Sequence, residues 1–281
     1  MTSLPRVVAR DETPTAESAN DDALWAPLSD DELHVEELVP FTWRNTLYSA
    51  ALWPFGAIWI LSGFTLVWAL DKTVLPGPKM YRLPKFLAKN ALRVAGVRVR
   101  SIVHPEIDST RTYVFAPNHV SMADAPVLSV AAPMNARAFQ ERRHLEIPIF
   151  GALTKLFGEV LIDPKDKALN EQAHHEALRR VREGMSWLVF PEGGRSFDGK
   201  LGPFFPGAFR LAIEAQVPVV PVALRGLRNI CPPGEWRGRP GVVEVVYDAP
   251  IPTAGMTAEP AQIERLAHRA RRAVNRLLAR A

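Results

Sequence analysis

Cysteine is almost missing from this chain: Cys231 is the single one among 281 residues. One thiol excludes an internal disulfide and cannot by itself build a zinc site, which suits a reducing compartment. It reads as a buried or loop spectator rather than a catalytic thiol. The chain also lacks internal repeats, and nothing in it resembles the strained serine turn of the α/β-hydrolases. No basic–aromatic alternation of a nucleic-acid binder is present. Its longest apolar run starts too late, behind an acidic leader, to be a secretory signal.

Charge is ordinary in amount, at 23% of residues, but unevenly placed. Residues 1–40 carry ten acidic side chains against two arginines, a net −8, so the overall +4 leaves +12 on residues 41–281. The acidic stretch has too few bulky apolar residues to offset the entropy of ordering and is expected to be a disordered tail. The basic remainder suits an anionic partner. Without a nucleic-acid motif, a lipid headgroup surface is the better match.

What is present begins with 26 consecutive uncharged residues between Arg44 and Asp71, with Trp53, Trp59 and Trp68 among them. As one helix this run would extend about 39 Å, more than the roughly 30 Å of a bilayer core. It is expected to be membrane-embedded, either spanning or broken at Pro54 and Gly56 into two re-entrant arms, with tryptophans at the interface. Lys72, Lys79, Arg82, Lys85, Lys89 and Arg93 follow. The positive-inside bias would then place the long C-terminal part in the cytoplasm. Phe86, Leu87, Leu92 and Val94 among these cations read as a helix lying near a membrane surface.

From residue 97 strand and helix patterns alternate. Strand-like runs are 97–103, 112–116, 160–162, 187–190, 219–224 and 242–247. Helical periodicity appears at 149–157, 167–182, 207–215 and 263–278. This alternation predicts an α/β fold with a mixed, largely parallel sheet. The expected organisation is an acidic tail at 1–40, a membrane-associated helical segment at 41–96 and a catalytic domain at 97–281. The last helix carries six arginines between Arg265 and Arg280, to be solvated or set against anionic lipid.

Two blocks carry chemistry. His119 and Asp124 follow the 112–116 strand at a strand-to-helix turn. A carboxylate five residues on can hold one ring nitrogen and leave the other free to take a proton. Phe190-Pro191-Glu192-Gly193-Gly194-Arg195-Ser196 follows another apolar strand. Its glycines let the backbone approach a ligand, while Glu192 and Arg195 offer an acceptor and a forked donor for hydroxyls or phosphate. Each block alone has a plain structural reading, as a helix cap and as a tight turn with a solvated ion pair. A metal-dependent hydrolase fits less well, since no second ligand stands at suitable spacing beside His119.

Together and in this order the blocks resemble the lysophospholipid (1-acylglycerol-3-phosphate) acyltransferase family. His119 and Asp124 match its Asn-His-x-x-x-x-Asp motif. Phe190 to Ser196 match Phe-Pro-Glu-Gly-Thr-Arg-Ser, with Gly194 for the Thr, and Val217-Pro218-Val219-Val220-Pro221-Val222 matches its fourth motif. The second motif, Gly-x-x-Phe-Ile-x-Arg, is only partly kept at Gly158 to Pro164. The resemblance implies a glycerolipid acyltransferase-like domain transferring an acyl group from acyl-CoA or acyl-carrier protein to a lysolipid hydroxyl, lysophosphatidate first. The donor is a substrate, and no cofactor or metal is implied. His119 would be the base and Asp124 its partner; Glu192, Gly193, Gly194 and Arg195 would bind the acceptor headgroup. Pro164 stands where the family carries a phosphate-binding Arg, so Lys165 is the candidate substitute. That departure, with Phe204 and Phe205 where relatives often carry lysines, keeps open a different lysolipid or a hydroxylated acyl-lipid. CoA-independent transacylation and non-catalytic lipid binding are the further alternatives.

Overall fold

A computed structural model describes residues 26–71, 82–146, 151, 154 and 159–280. In chain order the elements are α1 (Trp43–Asp71), α2 (Arg82–Val94), β1 (Val97–Val103), β2 (Val114–Pro117), α3 (Asp124–Ala131), β3 (Ala136–Glu141) and β4 (Val160–Ile162). They continue with α4 (Lys167–Arg182), β5 (Ser186–Leu188), α5 (Gly207–Ala215), β6 (Val219–Arg225), α6 (Leu227–Ile230), β7 (Gly241–Tyr247) and α7 (Pro260–Ala279). The strands form one sheet in the order β1-β7-β6-β2-β5-β3-β4. From β6 to β4 every neighbouring pair is parallel, whereas β7 runs antiparallel to β6 and carries β1 beside it in parallel. The sheet is therefore mixed and largely parallel, as the alternation predicts.

Side chains of successive strand residues point to opposite faces, and both faces of the central strands are covered. Val114 and Ala116 of β2 join Trp187, Leu211 and Leu266 in a core under α4, α5 and α7. Tyr113 and Phe115 join Val127, Leu224 and Leu227 in a second core under α3 and α6. Burial on both sides explains the unbroken apolar run of β6, fully buried from Val219 to Leu224. Each large side chain removed from water contributes about 1.5–3 kcal/mol. Local signals agree at the helix ends: the Asp166 side chain caps α4 by accepting from Leu169 N–H at 2.9 Å. Pro260 opens α7, where its missing N–H costs nothing.

Four expectations need amendment. Residues 26–40, counted with the disordered tail, lie against the domain: His34 N–H donates to Asn275, Val39 N–H donates to Asn229, and Val35 bridges Lys200. Composition misled because these fifteen residues are held by backbone bonds to the domain rather than by a core of their own. The uncharged segment is one continuous helix through Pro54 and Gly56, not two arms. Among the described residues no helix is long and apolar enough to cross a membrane, so a spanning segment is not supported. Its polar groups explain its position: Tyr48 Oη donates to Ala95 O at 2.5 Å, Trp53 Nε1 to Trp236 O at 2.7 Å and Trp59 Nε1 to Leu87 O at 3.2 Å. These bonds dock α1 on α2 and the domain. Strand β3 reads as a mixed run, Ala-Arg-Ala-Phe-Gln-Glu, half-buried throughout with only Phe139 bulky and apolar, and forms because β5 and β4 flank it. The helix expected at 149–157 lies mostly outside the described residues.

Candidate active site

Strand β2 ends at Pro117, and the next seven residues build the centre of the site. Asn118 is buried and copies a strand pair with its side chain, accepting from Leu224 N–H at 2.7 Å and donating to Leu224 O at 3.3 Å. That clamp to β6 fixes the direction in which the chain leaves the sheet. His119 Nδ1 then lies 2.5 Å from Asp124 Oδ2. The same oxygen accepts the backbone N–H groups of Val120 at 2.9 Å and Ser121 at 3.0 Å. Asp124 is 1% exposed and is the first residue of α3, where the helix dipole favours a negative charge. Ser121 Oγ stays within the turn, accepting from Ala123 N–H at 3.0 Å, and also donates to Cys231 O at 2.6 Å.

With Nδ1 engaged by the carboxylate, the Nε2 edge of the imidazole is left for a substrate. The ring stacks on Phe190 with centroids 4.0 Å apart and 21° between planes, and its side chain remains 24% exposed. Packing on one face and a carboxylate on one edge leave little freedom for the ring to turn. A general base needs this restraint, since misplacement costs more than strength gains.

The second block reaches the same place because β5 is the direct neighbour of β2. Its turn closes with Gly193 N–H donating to Phe190 O at 3.2 Å, and Gly193 sits at φ +64°. A side chain there would suffer both that conformation and contact with Phe205 at 3.1 Å. Gly194 faces open space, so the Thr of the family motif would fit without a clash. The two blocks are joined through His119 itself. Its N–H donates to Glu192 Oε1 at 2.7 Å, and its carbonyl accepts Ser196 N–H at 2.8 Å. Glu192 Oε2 accepts Gly202 N–H at 2.8 Å.

This geometry changes the reading of Glu192. It is 9% exposed, and each carboxylate oxygen already accepts a backbone amide. Burial holds its carboxyl above the usual range, opposed by those two bonds. Glu192 thus braces the two turns, with one backbone N–H on each carboxylate oxygen. Arg195, by contrast, is half-buried and makes no hydrogen bond or ion pair among the described residues. The N–H groups of Gly194 and Arg195 likewise make no hydrogen bond among the described residues. Lys165 is exposed beyond β4, its N–H donating to Asp163 Oδ1 at 3.0 Å. Three strand spacings, about 14 Å, separate β4 from β2. The structure therefore brings Arg195 to His119 and leaves Lys165 at the rim.

Two features were not legible as site components. Arg142, Arg143 and His144 follow β3, and the charge of Arg195 reaches His144, whose imidazole is lowered by burial first and by Arg143 and Arg195 after it. The basic tract after residue 141 was the available signal, but β3 had not been recognised. The second is an apolar cavity of about 480 Å³ between α1, α2 and the loop at Trp236. Ala123 and Cys231 line it, so it opens onto the turn that holds His119 and Asp124.

With this geometry described, the class of the domain follows: an α/β fold with an His–Asp pair and a glycine turn at the carboxyl ends of adjacent parallel strands. Residues 98–225 match the Acyltransferase family model. It is 33% identical over 147 residues to the 1-acyl-sn-glycerol-3-phosphate acyltransferase of Limnanthes alba, covering 52% of each chain. It is 30% identical over 177 residues to the human 1-acyl-sn-glycerol-3-phosphate acyltransferase alpha, covering 62% of each. The alignments thus span about half to three-fifths of these curated relatives. A crystal structure of the 1-acyl-sn-glycerophosphate acyltransferase PlsC from Thermotoga maritima has the same fold, with TM-score 0.69 and 23% identity over 85% of this chain and 98% of that one.

Proposed function

We propose that this protein is an O-acyltransferase that moves a fatty acyl group from acyl-CoA or acyl-carrier protein to the hydroxyl of a lysolipid, 1-acylglycerol-3-phosphate first. The observation that carries this reading is the His119–Asp124 pair next to Ala123, which lines an apolar cavity, with the Arg195 guanidinium, unpartnered among the described residues, on the adjoining turn. The printed names of the relatives point the same way.

In the proposed reaction His119 Nε2 takes the proton of the acceptor hydroxyl as its oxygen attacks the thioester carbonyl carbon. Asp124 stabilises the imidazolium that forms. The carbon–sulfur bond then breaks, and the departing thiolate takes the proton back from His119. Products are the ester and the free thiol. The unengaged N–H groups of Gly194 and Arg195 are the candidates for holding the oxyanion. The Arg195 side chain holds the acceptor headgroup, and the apolar cavity receives an acyl chain.

The protein is proposed to work at a membrane surface without crossing it. Trp43, Leu47, Phe55 and Ile58 of α1 and Phe86 of α2 are all more than half exposed, with Lys85, Lys89 and Arg93 beside them. Such a face suits insertion to headgroup depth. Replacing Phe55 and Ile58 with Ser is expected to lower the fraction sedimenting with anionic vesicles. Unchanged sedimentation would remove the membrane assignment.

The deciding assay supplies labelled acyl-CoA and a panel of lysolipids to purified protein. Transfer to lysophosphatidate is expected to be fastest. Turnover only between phospholipids, with no CoA donor used, would replace this reading by transacylation. No transfer to any acceptor from either donor would overturn it.

A further inference from the structure

The strap of residues 34–39 reaches the back of the catalytic turns through one buried cation. Arg228 in α6 is 4% exposed and makes no ion pair among the described residues, although the Glu36 carboxyl is near enough to feel its charge. Its Nη1 donates to Glu36 O at 2.5 Å and its Nη2 to Phe197 O at 2.9 Å. A buried guanidinium held by neutral carbonyls is costly. What this arrangement gains is a second link between two loops already joined by backbone pairing at Val35 and Glu36. Phe197 is two residues beyond Arg195, so the link ends beside the side chain that holds the headgroup.

The rest of the contact is shaped for the strap. Glu36 N–H donates to Gly199 O at 3.4 Å, and Val35 pairs with Lys200. Gly199 has φ +86°, and a methyl group there would lie 2.7 Å from Glu36 O and 2.9 Å from Arg228 Cζ. Behind the same turn lies a small cavity of about 10 Å³, the size of one water, whose lining includes His34 and Glu36 of the strap together with Asn118 and Glu192. The strap thus faces both residues that fix the backbone of His119.

We propose that Arg228 is a positioning residue for the acceptor-side turn, and that the strap 34–39 closes the rear of the site. This rests on the reading of Arg195 as the headgroup contact. The family match ends at residue 225, so neither Arg228 nor the strap falls within it.

The test uses the full chain. Arg228→Ala is expected to raise the acceptor KM roughly tenfold, the scale of a lost charge-assisted hydrogen bond, while the thioester KM stays within about twofold. Arg228→Lys, able to reach one carbonyl but not both, should recover part of the loss. A second variant avoids the buried cation: Asn229→Ala with Asn275→Ala removes side chains that hold only the strap. It should give the same split with a smaller amplitude. Faster amide exchange at Ser196 and Gly199 should accompany it, because the Ser196 N–H donates to His119 O and the Gly199 N–H to Ser196 Oγ, and the strap holds both in place. If Arg228→Ala does not fold, the double variant decides. Unchanged acceptor KM in folded variants overturns the proposal where Arg195→Ala itself raises that KM. If Arg195→Ala moves nothing, the headgroup assignment falls instead. Exchange at Ser196 and Gly199 then decides the clamp alone, faster exchange upholding it and unchanged exchange ending it.

Discussion

The two turns that meet at His119 are built in opposite ways. The turn from Asn118 to Asp124 orients its reactive group from within: one carboxylate oxygen takes the His119 ring and the N–H groups of Val120 and Ser121, all inside six residues. The turn from Phe190 to Ser196 is held from outside, by His119 O, by Gly202 through Glu192 and by the Phe205 N–H on Pro191 O. The first turn presents a base whose partner is built in. The second presents a cation whose position depends on distant parts of the chain. Substitutions in the first should therefore act on chemistry, and those in the second on binding and assembly.

The sharpest test of this contrast lies in the self-contained turn. His119→Ala should lower turnover by at least about 10²-fold with folding retained. Asp124→Asn should do nearly the same, because a neutral amide, even with its oxygen turned to the ring and the two backbone N–H groups, cannot stabilise the imidazolium that forms. Single-turnover rates check both, and a folded His119→Ala protein with ample activity would end the general-base mechanism.

Glu192→Gln comes next. The amide would set a donor against one of two backbone donors, His119 N–H or Gly202 N–H, at a cost of about 1–3 kcal/mol in stability. Thermal unfolding should show that loss, and kcat should fall because the His119 backbone is no longer braced. A large rise in acceptor KM with stability intact would return Glu192 to the role of headgroup ligand. Arg195→Ala should do what Glu192→Gln does not, raising the acceptor KM more than the donor KM without loss of stability. Equal effects on both substrates would mark it as a structural turn residue. The smallest effect belongs to Gly194→Thr. Its side chain would enter open space, so stability should change by no more than about 0.5 kcal/mol. A larger loss in a chemical melt would show that the turn is tighter than it looks.

The legibility of these features followed their range. The His119–Asp124 pairing, the Gly193 turn and the limits of α4 and α5 depend on neighbours a few residues away, and the pattern of residues revealed them. Strand β3 did not show itself, because Ala136 to Glu141 gain their strand geometry from β5 and β4 on either side. The bracing contacts of Glu192 were hidden for the same reason: nothing near it in sequence says that Gly202 and His119 would take its oxygens. The acidic composition of residues 26–40 was silent about Asn229 and Asn275, which hold that stretch from 190 or more residues away.

The amino-acid order by itself determined the alternation of strands and helices, the His–Asp spacing and the uncharged length of α1. Those follow from periodicity and from chemistry confined to one turn. Only the tertiary structure decided that α1 docks on the domain, that Arg195 rather than Lys165 stands beside His119, and that Glu192 faces inward. The physical reason is the order of strands: β5 was placed next to β2 and β4 three strands away by packing on both faces of the sheet, and no local pattern encodes that order.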